Sequence, residues 1–477
     1  MKYNYKSQTF LVPLILILPQ LITHGFSLPA PSAMAIFFSI TILWFSEIIP
    51  LAVSALLVPL LAIFSGILDT KLAFSAFGDP ILFLFIGGFL LAGAMEKHGL
   101  DKRMAFFLLS KKFTSKSVAH LSFVIALICW TLSMWISNTA TCAIMTPMVL
   151  GIIQTLKTQL KDSKEVEHLS SRLLLITAFA SSIGGMATPV GSPPNLIAIS
   201  LLKNANIHVS FFQWMSYGIP ISVVMLLALL AMMHYRLPIK DMDMSKVSNS
   251  FKVQLKELGR LKRSEFLIML CFSVAVIGWV APDIISKISF FDSYSKVMIS
   301  KLNIGVVALF ASMLLFIFND ENSNPILSWE DSSYINWGVI LLFGGGLCLG
   351  KVLDVSSLAK ILSEYIFFGG AHSPFVLLVI VVSLGILLSE FSSNTASASI
   401  LVPIVLAQTQ LMPANIGTVL AVAVALGASC GFMLPVSTPP NAIIYGTGQI
   451  KLKTMIHYGL SFDFIGLLTI VILLLMR

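Results

Sequence analysis

Two short polar sequences interrupt long apolar stretches, at Ser137-Asn138-Thr139 and at Ser393-Asn394-Thr395. Each supplies hydroxyls and a carboxamide at the start of a predicted helix, where free backbone N–H groups and the helix dipole favour an anion. Carbonyl oxygens freed at such a break suit a small hard cation such as Na⁺. A single Ser or Asn is enough to cap the following helix. Three polar residues in a row, in two places, therefore indicate a binding site as well as a cap.

Two proline pairs mark a second kind of interruption, in Ser192-Pro193-Pro194-Asn195 and in Thr438-Pro439-Pro440-Asn441. Paired prolines remove two backbone donors and clash with helix continuation. Each pair therefore unwinds a predicted span and frees carbonyl groups. Gly191, just before the first pair, allows a close backbone approach that a side chain would block.

None of these four segments contains Lys, Arg or His. Helix N-termini supply only about half a positive charge each, so bound cations are the natural counter-charge for an anionic ligand. Glu390 is the one acid beside the motifs, and buried acids in membranes are functional by default. It either binds a cation or a proton, or it caps or links helices.

The composition places the motifs in a membrane. Of 477 residues, 57% are hydrophobic and only 11% are charged, whereas soluble domains carry about 25% charged residues. A soluble enzyme, a secreted domain and a disordered chain are excluded. The apolar runs predict spans at 9–26, 33–49, 51–68, 79–96, 172–202, 214–236, 264–281, 303–319, 336–350, 414–449 and 456–476.

The positive net charge of +8 does not indicate nucleic-acid binding, because the basic residues lie in loops between apolar runs. With the N-terminus placed inside and a retained first helix, 22 of the 30 Lys and Arg residues fall on the cytoplasmic side, as the positive-inside rule requires. The loop 320–335 disagrees, since it has no Lys or Arg and four acidic residues. The five cysteines stand singly and predict neither disulfides nor a zinc site.

An internal repeat organises the chain. The Ser-Asn-Thr motifs are 256 residues apart, the Pro-Pro-Asn motifs are 246 apart, and Phe85–Leu90 resembles Leu342–Leu347. An odd number of crossings separates corresponding spans, which predicts inverted repeats, the signature of secondary transporters. The predicted units are 1–32 (cytoplasmic N-terminus and first helix), 33–240 (repeat 1, with hairpin 118–156 and unwound helix 172–202), 241–263 (cytoplasmic linker) and 264–477 (repeat 2, with hairpin 374–411 and unwound helix 414–449).

These paired motifs, their spacing and the inverted halves resemble the divalent anion/sodium symporter family over essentially the whole chain. The resemblance implies an all-α membrane protein of about eleven transmembrane helices and two re-entrant hairpins. It also implies a homodimer with a scaffold domain and a mobile transport domain that moves like an elevator.

By motif position, the resemblance implies Na⁺ as the coupling ion and places ligands in both halves. The implied sodium ligands are Ser133, Ser137, Asn138 and Gly191 in the first half and Ser389, Ser392, Asn394 and Ser437 in the second. The implied substrate residues are Ser137, Asn138, Thr139, Ser192, Ser393, Asn394, Thr395, Thr438 and Pro439. Ser437 departs from the smaller residue common in the family, and Ser192 from the frequent Thr.

The expected protein is therefore not an enzyme but a Na⁺-coupled symporter of C4-dicarboxylates such as succinate, malate and fumarate, in a bacterial inner membrane. A Na⁺-independent dicarboxylate exchanger and a sulfate or citrate symporter are the alternatives of the same fold. An anion channel or membrane enzyme is disfavoured by the repeat and by the absence of a nucleophile–His pair or metal cluster in the sequence.

Overall fold

The computed structural model describes residues 5–26, 28–160, 162–240, 242–287, 303–367, 373–408 and 414–477. Residues 1–4 and 27 of the predicted N-terminal unit, residue 161 of repeat 1, residue 241 of the linker and residues 288–302, 368–372 and 409–413 of repeat 2 (409–411 in its predicted hairpin) lie outside this part. The first helices are α1 (Tyr5–Gly25), α2 (Pro31–Ser46), α3 (Leu51–Phe64), α4 (Thr70–Ser75), α5 (Pro80–Lys97), α6 (Leu100–Leu109), α7 (Val118–Ser133), α8 (Asn138–Lys157), α9 (Ser163–Met186), α10 (Pro193–Asn204) and α11 (Phe211–Arg236). The later helices are α12 (Ser245–Glu257), α13 (Arg263–Lys287), α14 (Ile304–Ile317), α15 (Trp337–Val355), α16 (Leu358–Ile366), α17 (Pro374–Phe391), α18 (Asn394–Gln408), α19 (Ala414–Ala428), α20 (Pro439–Gly446) and α21 (Leu452–Leu475).

Helices long and apolar enough to cross a membrane dominate the fold. The described residues contain eight such segments and seven shorter apolar helices. Large apolar side chains on their outer faces are exposed, among them Leu227, Ile277 and Ile472, as lipid contact requires. Apart from one bridge between Asn319 and Pro325, the described part has no β-structure. The expected fold class, an all-α polytopic membrane protein, is confirmed.

Both expected hairpins are pairs of helices joined by a short turn. In the first, α7 ends at Ser133 and α8 begins at Asn138; in the second, α17 ends at Phe391 and α18 begins at Asn394. The prolines Pro147 and Pro403 lie inside the returning helices α8 and α18. Each hairpin packs on an interrupted helix of its own half, α7 along α9 and α17 along α19.

The two Pro-Pro-Asn motifs interrupt helices, as the sequence predicts. Helix α9 stops at Met186, a short 3₁₀ turn covers Pro189–Gly191, and α10 starts at Pro193. The span predicted from residue 172 in fact starts at Ser163, because the Asp162 side chain accepts a hydrogen bond from the Lys164 backbone N–H at 3.0 Å and caps the helix. Hydrophobicity misses the first nine residues of the helix because most of them are polar.

Contacts between helices repeat in the two halves. Helix α5 packs along α14, and its counterpart α15 packs along α3, the counterpart of α14. Likewise α10 lies against α18 and α19, while α20 lies against α8 and α9. The halves are thus interlocked, with the second segment of each interrupted helix packed on the other half.

Glycines set the closest helix contacts. A Cβ at Gly87 of α5 would lie 2.5 Å from the Ala308 carbonyl carbon of α14, and one at Gly345 of α15 would lie 2.6 Å from the Ala55 carbonyl oxygen of α3. Small residues allow such an approach in membrane helices. Gly87 and Gly345 therefore serve close helix packing.

The acidic loop 320–335 lies against basic segments. Lys97 at the end of α5 forms an ion pair with Asp331 at 2.7 Å and donates to the Ile326 carbonyl at 3.0 Å. Glu321 accepts a hydrogen bond from the Ser264 backbone N–H at the start of α13. The loop thus lies next to the basic segments around 97–116 and 236–263.

Candidate functional site

Two serines stabilise the tip of the first hairpin: Ser137 caps the second helix, and the buried Ser133 hydroxyl holds the Asn138 side chain. Ser137 is the N-cap of α8 and accepts a hydrogen bond from the Ala140 backbone N–H at 3.2 Å. Ser133, fully buried at the end of α7, donates to the Asn138 side-chain oxygen at 2.6 Å. This bond joins the two arms of the hairpin and orients the Asn138 amide.

The second hairpin repeats that geometry. Ser389 donates to the Asn394 side-chain oxygen at 2.7 Å, and its hydroxyl lies equally close to the Ala428 carbonyl oxygen. Ser392 instead points across to α2, where its hydroxyl donates to the Trp44 carbonyl at 3.4 Å. Any part of Ser392 in cation binding would therefore fall to its backbone carbonyl.

Asn195 and Asn441 of the two Pro-Pro-Asn motifs hold the interrupted helices. The Asn195 amide donates to the Gly185 and Thr188 carbonyls, each at 2.8 Å, and the Asn441 amide donates to the Gly431 and Leu434 carbonyls, each at 3.0 Å. Both side chains are fully buried. These bonds tie the chain before each break to the helix after it and fix where the remaining carbonyls point.

Four oxygens meet behind the first hairpin tip and form the first oxygen cluster: Ser133 Oγ, Asn138 Oδ1, Ser181 O and Gly191 O. The Asn138 oxygen lies 2.6 Å from the Ser133 hydroxyl, 3.1 Å from the Ser181 carbonyl and 3.3 Å from the Gly191 carbonyl. Oxygen atoms this close to one another need a positively charged partner between them. Either the Asn138 side chain is rotated, so that its N–H₂ group takes the place of its oxygen and donates to the other three, or a cation binds among the oxygens. The residues present therefore fit a small cation bound by oxygen.

Gly191 closes this cluster because it has no side chain. A Cβ there would lie 2.7 Å from the Gly185 carbonyl oxygen and 3.0 Å from the Ser133 carbonyl oxygen. Ser181 contributes only its backbone to the cluster, so no sequence pattern could have identified it.

The second oxygen cluster consists of Ser389 Oγ, Asn394 Oδ1 and Ala428 O. The Ser389 hydroxyl has one hydrogen but lies within hydrogen-bond distance of two acceptor oxygens. A cation bound among these oxygens would therefore fit here as well. Ser437, at the repeat position of Gly191, points elsewhere: its hydroxyl donates to the Glu390 carboxylate and to the Glu390 carbonyl. The Ala428 carbonyl is another contributor that sequence reasoning missed.

Glu390 binds the segment between α19 and α20, where the second helix is interrupted. Its carboxylate accepts hydrogen bonds from the Met433 backbone N–H at 2.8 Å, from the Leu434 backbone N–H at 3.1 Å and from the Ser437 hydroxyl. Of the two interpretations open from the sequence, this geometry demonstrates capping and helix linkage.

The two hairpin tips open on one cavity of about 1150 Å³. All nine residues expected to contact substrate line it: Ser137, Asn138, Thr139, Ser192, Ser393, Asn394, Thr395, Thr438 and Pro439. Of the expected sodium ligands, Ser133 and Ser389 lie behind the cavity, fully buried. Gly191, Ser392 and Ser437 are at its wall.

The charge distribution of the cavity suits an anion that arrives with cations. Its lining residues include no Lys, Arg or His, and the only charged one is Glu47 at the end of α2, with a left-handed φ of 46°. Four helices, α8, α10, α18 and α20, begin at the wall. Their N-terminal partial charges, about half a unit each, and the hydroxyls and amides of the motifs supply the positive potential.

Comparison with known proteins identifies the family of the chain. The family model described as the sodium:sulfate symporter transmembrane region matches residues 3–476. A Haemophilus influenzae protein described as an uncharacterized transporter is 36% identical, with 97% of this chain and 95% of that protein covered. The sodium-dependent dicarboxylate transporter SdcS of Staphylococcus saprophyticus is 34% identical over 91% of this chain and 82% of its own. SdcS of Staphylococcus aureus is 33% identical over 96% of this chain and 88% of its own.

Among solved structures, the Alcanivorax borkumensis YdaH transporter aligns with a TM-score of 0.53 over 85% of this chain and 86% of its own. At 15% identity this likeness concerns the fold alone.

Proposed function

Since this chain belongs to the sodium:sulfate symporter family, the divalent anion/sodium symporters, we propose that it couples Na⁺ entry to the uptake of C4-dicarboxylates such as succinate, malate and fumarate. The observation that carries the proposal is the pairing of two Ser-Asn-Thr tips at one cavity without a cationic side chain. Each tip is backed by an oxygen cluster, and in the second cluster the single Ser389 hydroxyl hydrogen faces two acceptors.

In this proposal each tip binds one carboxylate of the substrate. Asn138 and Thr139 serve one end of the molecule, and Asn394 and Thr395 serve the other. Ser137, Ser393, Ser192, Thr438 and Pro439 complete the wall. Two equivalent tips suit a ligand with two equivalent anionic ends, which supports a dicarboxylate over sulfate.

Ser133, Ser137, Asn138 and Gly191 would hold the first sodium ion, with the Ser181 carbonyl added from the first oxygen cluster. Ser389, Ser392, Asn394 and Ser437 would hold the second, with the Ala428 carbonyl added. Sodium, when bound, supplies the positive charge that the lining side chains lack. Asn138 and Asn394 stand between cation and substrate and therefore transmit one binding event to the other, which is the basis of coupling.

Alternating access would move the hairpins and interrupted helices against the remaining helices in an elevator-type movement of a homodimer. Two of the contacts that cross the boundary between these groups are Ser392 to the Trp44 carbonyl, and Ser200 of α10 to the Asp79 carboxylate at 3.0 Å. Such a movement would separate both pairs. Crosslinking Asp79→Cys to Ser200→Cys should stop transport, while each single substitution leaves it intact.

Uptake of labelled succinate into proteoliposomes tests the function. The expected result is concentrative uptake with an inward Na⁺ gradient and none with K⁺ or choline. Uptake that ignores Na⁺ but needs dicarboxylate inside would identify an exchanger. Sodium-driven uptake of sulfate or citrate, with succinate ineffective, would refute the substrate assignment but keep the coupling.

A further inference from the structure

A basic loop precedes the first hairpin. Between α6 and α7 the loop 110–117 carries three exposed lysines, Lys111, Lys112 and Lys116. The chain has no acidic residue from position 102 to position 161. None of the three lysines forms an ion pair with a residue that the structure describes. Their charges are therefore available to a partner outside these residues.

Aromatic rings lie directly beside two of the ammonium groups. Lys111 Nζ is 3.6 Å from the centroid of the Phe107 ring, and Lys116 Nζ is 5.6 Å from the centroid of the Phe113 ring. Phe107 is 49% exposed and Phe113 is 43% exposed. The segment thus presents cations and apolar rings side by side.

The aromatic surface continues onto α7, the first helix of the hairpin. The Phe113 ring packs against the ring of Phe123, with centroids 6.1 Å apart, and against that of His120, with centroids 4.6 Å apart. Phe123 is itself exposed, and α7 is one of the apolar helices. The rings therefore lie where an apolar membrane helix passes into a polar loop.

Hydrogen bonds give this loop a defined shape. The buried Thr114 hydroxyl donates to the Leu108 carbonyl of α6 at 3.1 Å. Helix α12 packs along α6, and its Ser248 hydroxyl donates to the Ser110 carbonyl at 3.1 Å. The lysines are thus presented by a loop that is bound to two helices.

The second half of the chain repeats the helices on either side of this loop but not its charge. Ser117 and Ser373 are the N-caps of α7 and α17, and they are 256 residues apart, like the two Ser-Asn-Thr motifs. That offset places Phe367, Phe368 and His372 at the positions of the three lysines. The repeated architecture therefore does not require lysines here.

We propose that Lys111, Lys112 and Lys116, together with Phe107 and Phe113, bind an anionic phospholipid. The ammonium groups bind the phosphate of its headgroup, and the rings lie against the first carbons of its acyl chains. Basic segments with exposed aromatic residues bind at membrane interfaces in this way, and their positive charges attract anionic lipids. The exposed rings favour a lipid over a free phosphate ion, because a soluble ion would leave them in water.

This lipid site is separate from the transport cavity. None of its five residues lines that cavity, so the proposal does not depend on which anion is transported. Because α6 and the loop join α5 to the first hairpin, the bound lipid would hold this connection at the membrane surface.

A fluorophore attached to Ser115→Cys tests the proposal in reconstituted full-length protein. All five natural cysteines are buried, so a thiol reagent labels the introduced one, which lies between Lys112 and Lys116. Brominated phosphatidylglycerol and brominated phosphatidylcholine are compared as quenchers in mixed bilayers. Phosphatidylglycerol should quench at a lower mole fraction than phosphatidylcholine, because only it has a net negative charge.

The variant Lys111→Gln/Lys112→Gln/Lys116→Gln should lose this preference. Each basic residue near an anionic surface contributes about a factor of five to binding, so the preference should fall until both lipids quench alike. Soluble glycerol 3-phosphate should not reduce the quenching.

The matched control is Lys71→Gln/Lys164→Gln/Lys453→Gln, which removes the same charge from exposed lysines elsewhere and should keep the wild-type preference. Equal quenching by both lipids in the wild-type loop would overturn the proposal, as would an unchanged preference in the loop variant. An equal loss in the control would reduce the effect to overall charge, and displacement by glycerol 3-phosphate would identify a site for a free anion; either result also contradicts the proposal.

Discussion

Gly191→Ala should weaken sodium binding while leaving the helices intact. The added methyl would lie 2.7 Å from the Gly185 carbonyl oxygen, 2.9 Å from the Gly185 Cα and 3.0 Å from the Ser133 carbonyl oxygen. All three neighbours are backbone atoms, and contact distances below about 3.5 Å are repulsive. The backbone at Gly191, whose carbonyl belongs to the first oxygen cluster, must therefore shift away from Gly185 and Ser133.

The size of the effect follows from that overlap. Overpacking a close-packed site by one methyl costs about 1–3 kcal/mol. Because each 1.4 kcal/mol is a factor of ten in a binding constant, sodium affinity should fall about 5- to 150-fold. By linkage, the apparent affinity for succinate at a fixed Na⁺ concentration should fall as well.

Two assays measure this change: the Na⁺ concentration that gives half-maximal succinate uptake, and the rise in melting temperature of the purified protein on adding Na⁺. Gly151→Ala in α8 is the matched control, because nothing lies within 4 Å of a Cβ there and the residue is exposed. It should keep wild-type values in both assays. A Gly191→Ala protein with wild-type sodium dependence would refute the placement of the cation.

Further substitutions test the rest of the site and its supports. Asn138→Ala and Asn394→Ala should each abolish Na⁺-driven succinate uptake in a protein that still assembles, since each removes a substrate contact and a cation contact; wild-type rates would contradict the assignment. Burial, with help from Glu96, raises the pKa of Asp101 from 3.8 to about 6, so the ionised form disfavours the folded state. Stability should therefore fall by about 3 kcal/mol as pH rises from 4 to above 6, and Asp101→Asn should show no such fall in pH-dependent melting. Arg103→Ala should lower the melting temperature by leaving Glu265, 2% exposed and paired at 2.7 Å, as an uncompensated buried charge worth about 3–5 kcal/mol. Arg103→Lys should recover only part of this, because one ammonium cannot also reach the three carbonyls of residues 258–260 that the guanidinium binds.

The sequence alone determined the membrane class, the repeat and the two kinds of interruption. Apolar runs must be buried in lipid or protein, and Pro-Pro pairs cannot continue a helix, so these features follow from local chemistry wherever the chain folds. The same is true of the Ser-Asn-Thr tips. Side chains that cap a helix and line a break are identifiable by type and position. The nine substrate residues that the family resemblance implies all line one cavity.

Only the tertiary structure decided which oxygens meet and which charges face each other. Ser181 and Ala428 contribute backbone carbonyls, which every residue carries, so their place in the oxygen clusters depends on how α9 and α19 pack against the hairpins. Lys97 and Asp331 lie far apart in the sequence, and only the packing of the loop 320–335 against the end of α5 brings them within 2.7 Å of each other. The family resemblance implies Ser437 as a sodium ligand; the structure places its hydroxyl on Glu390, so any part of Ser437 in cation binding would fall to its backbone carbonyl.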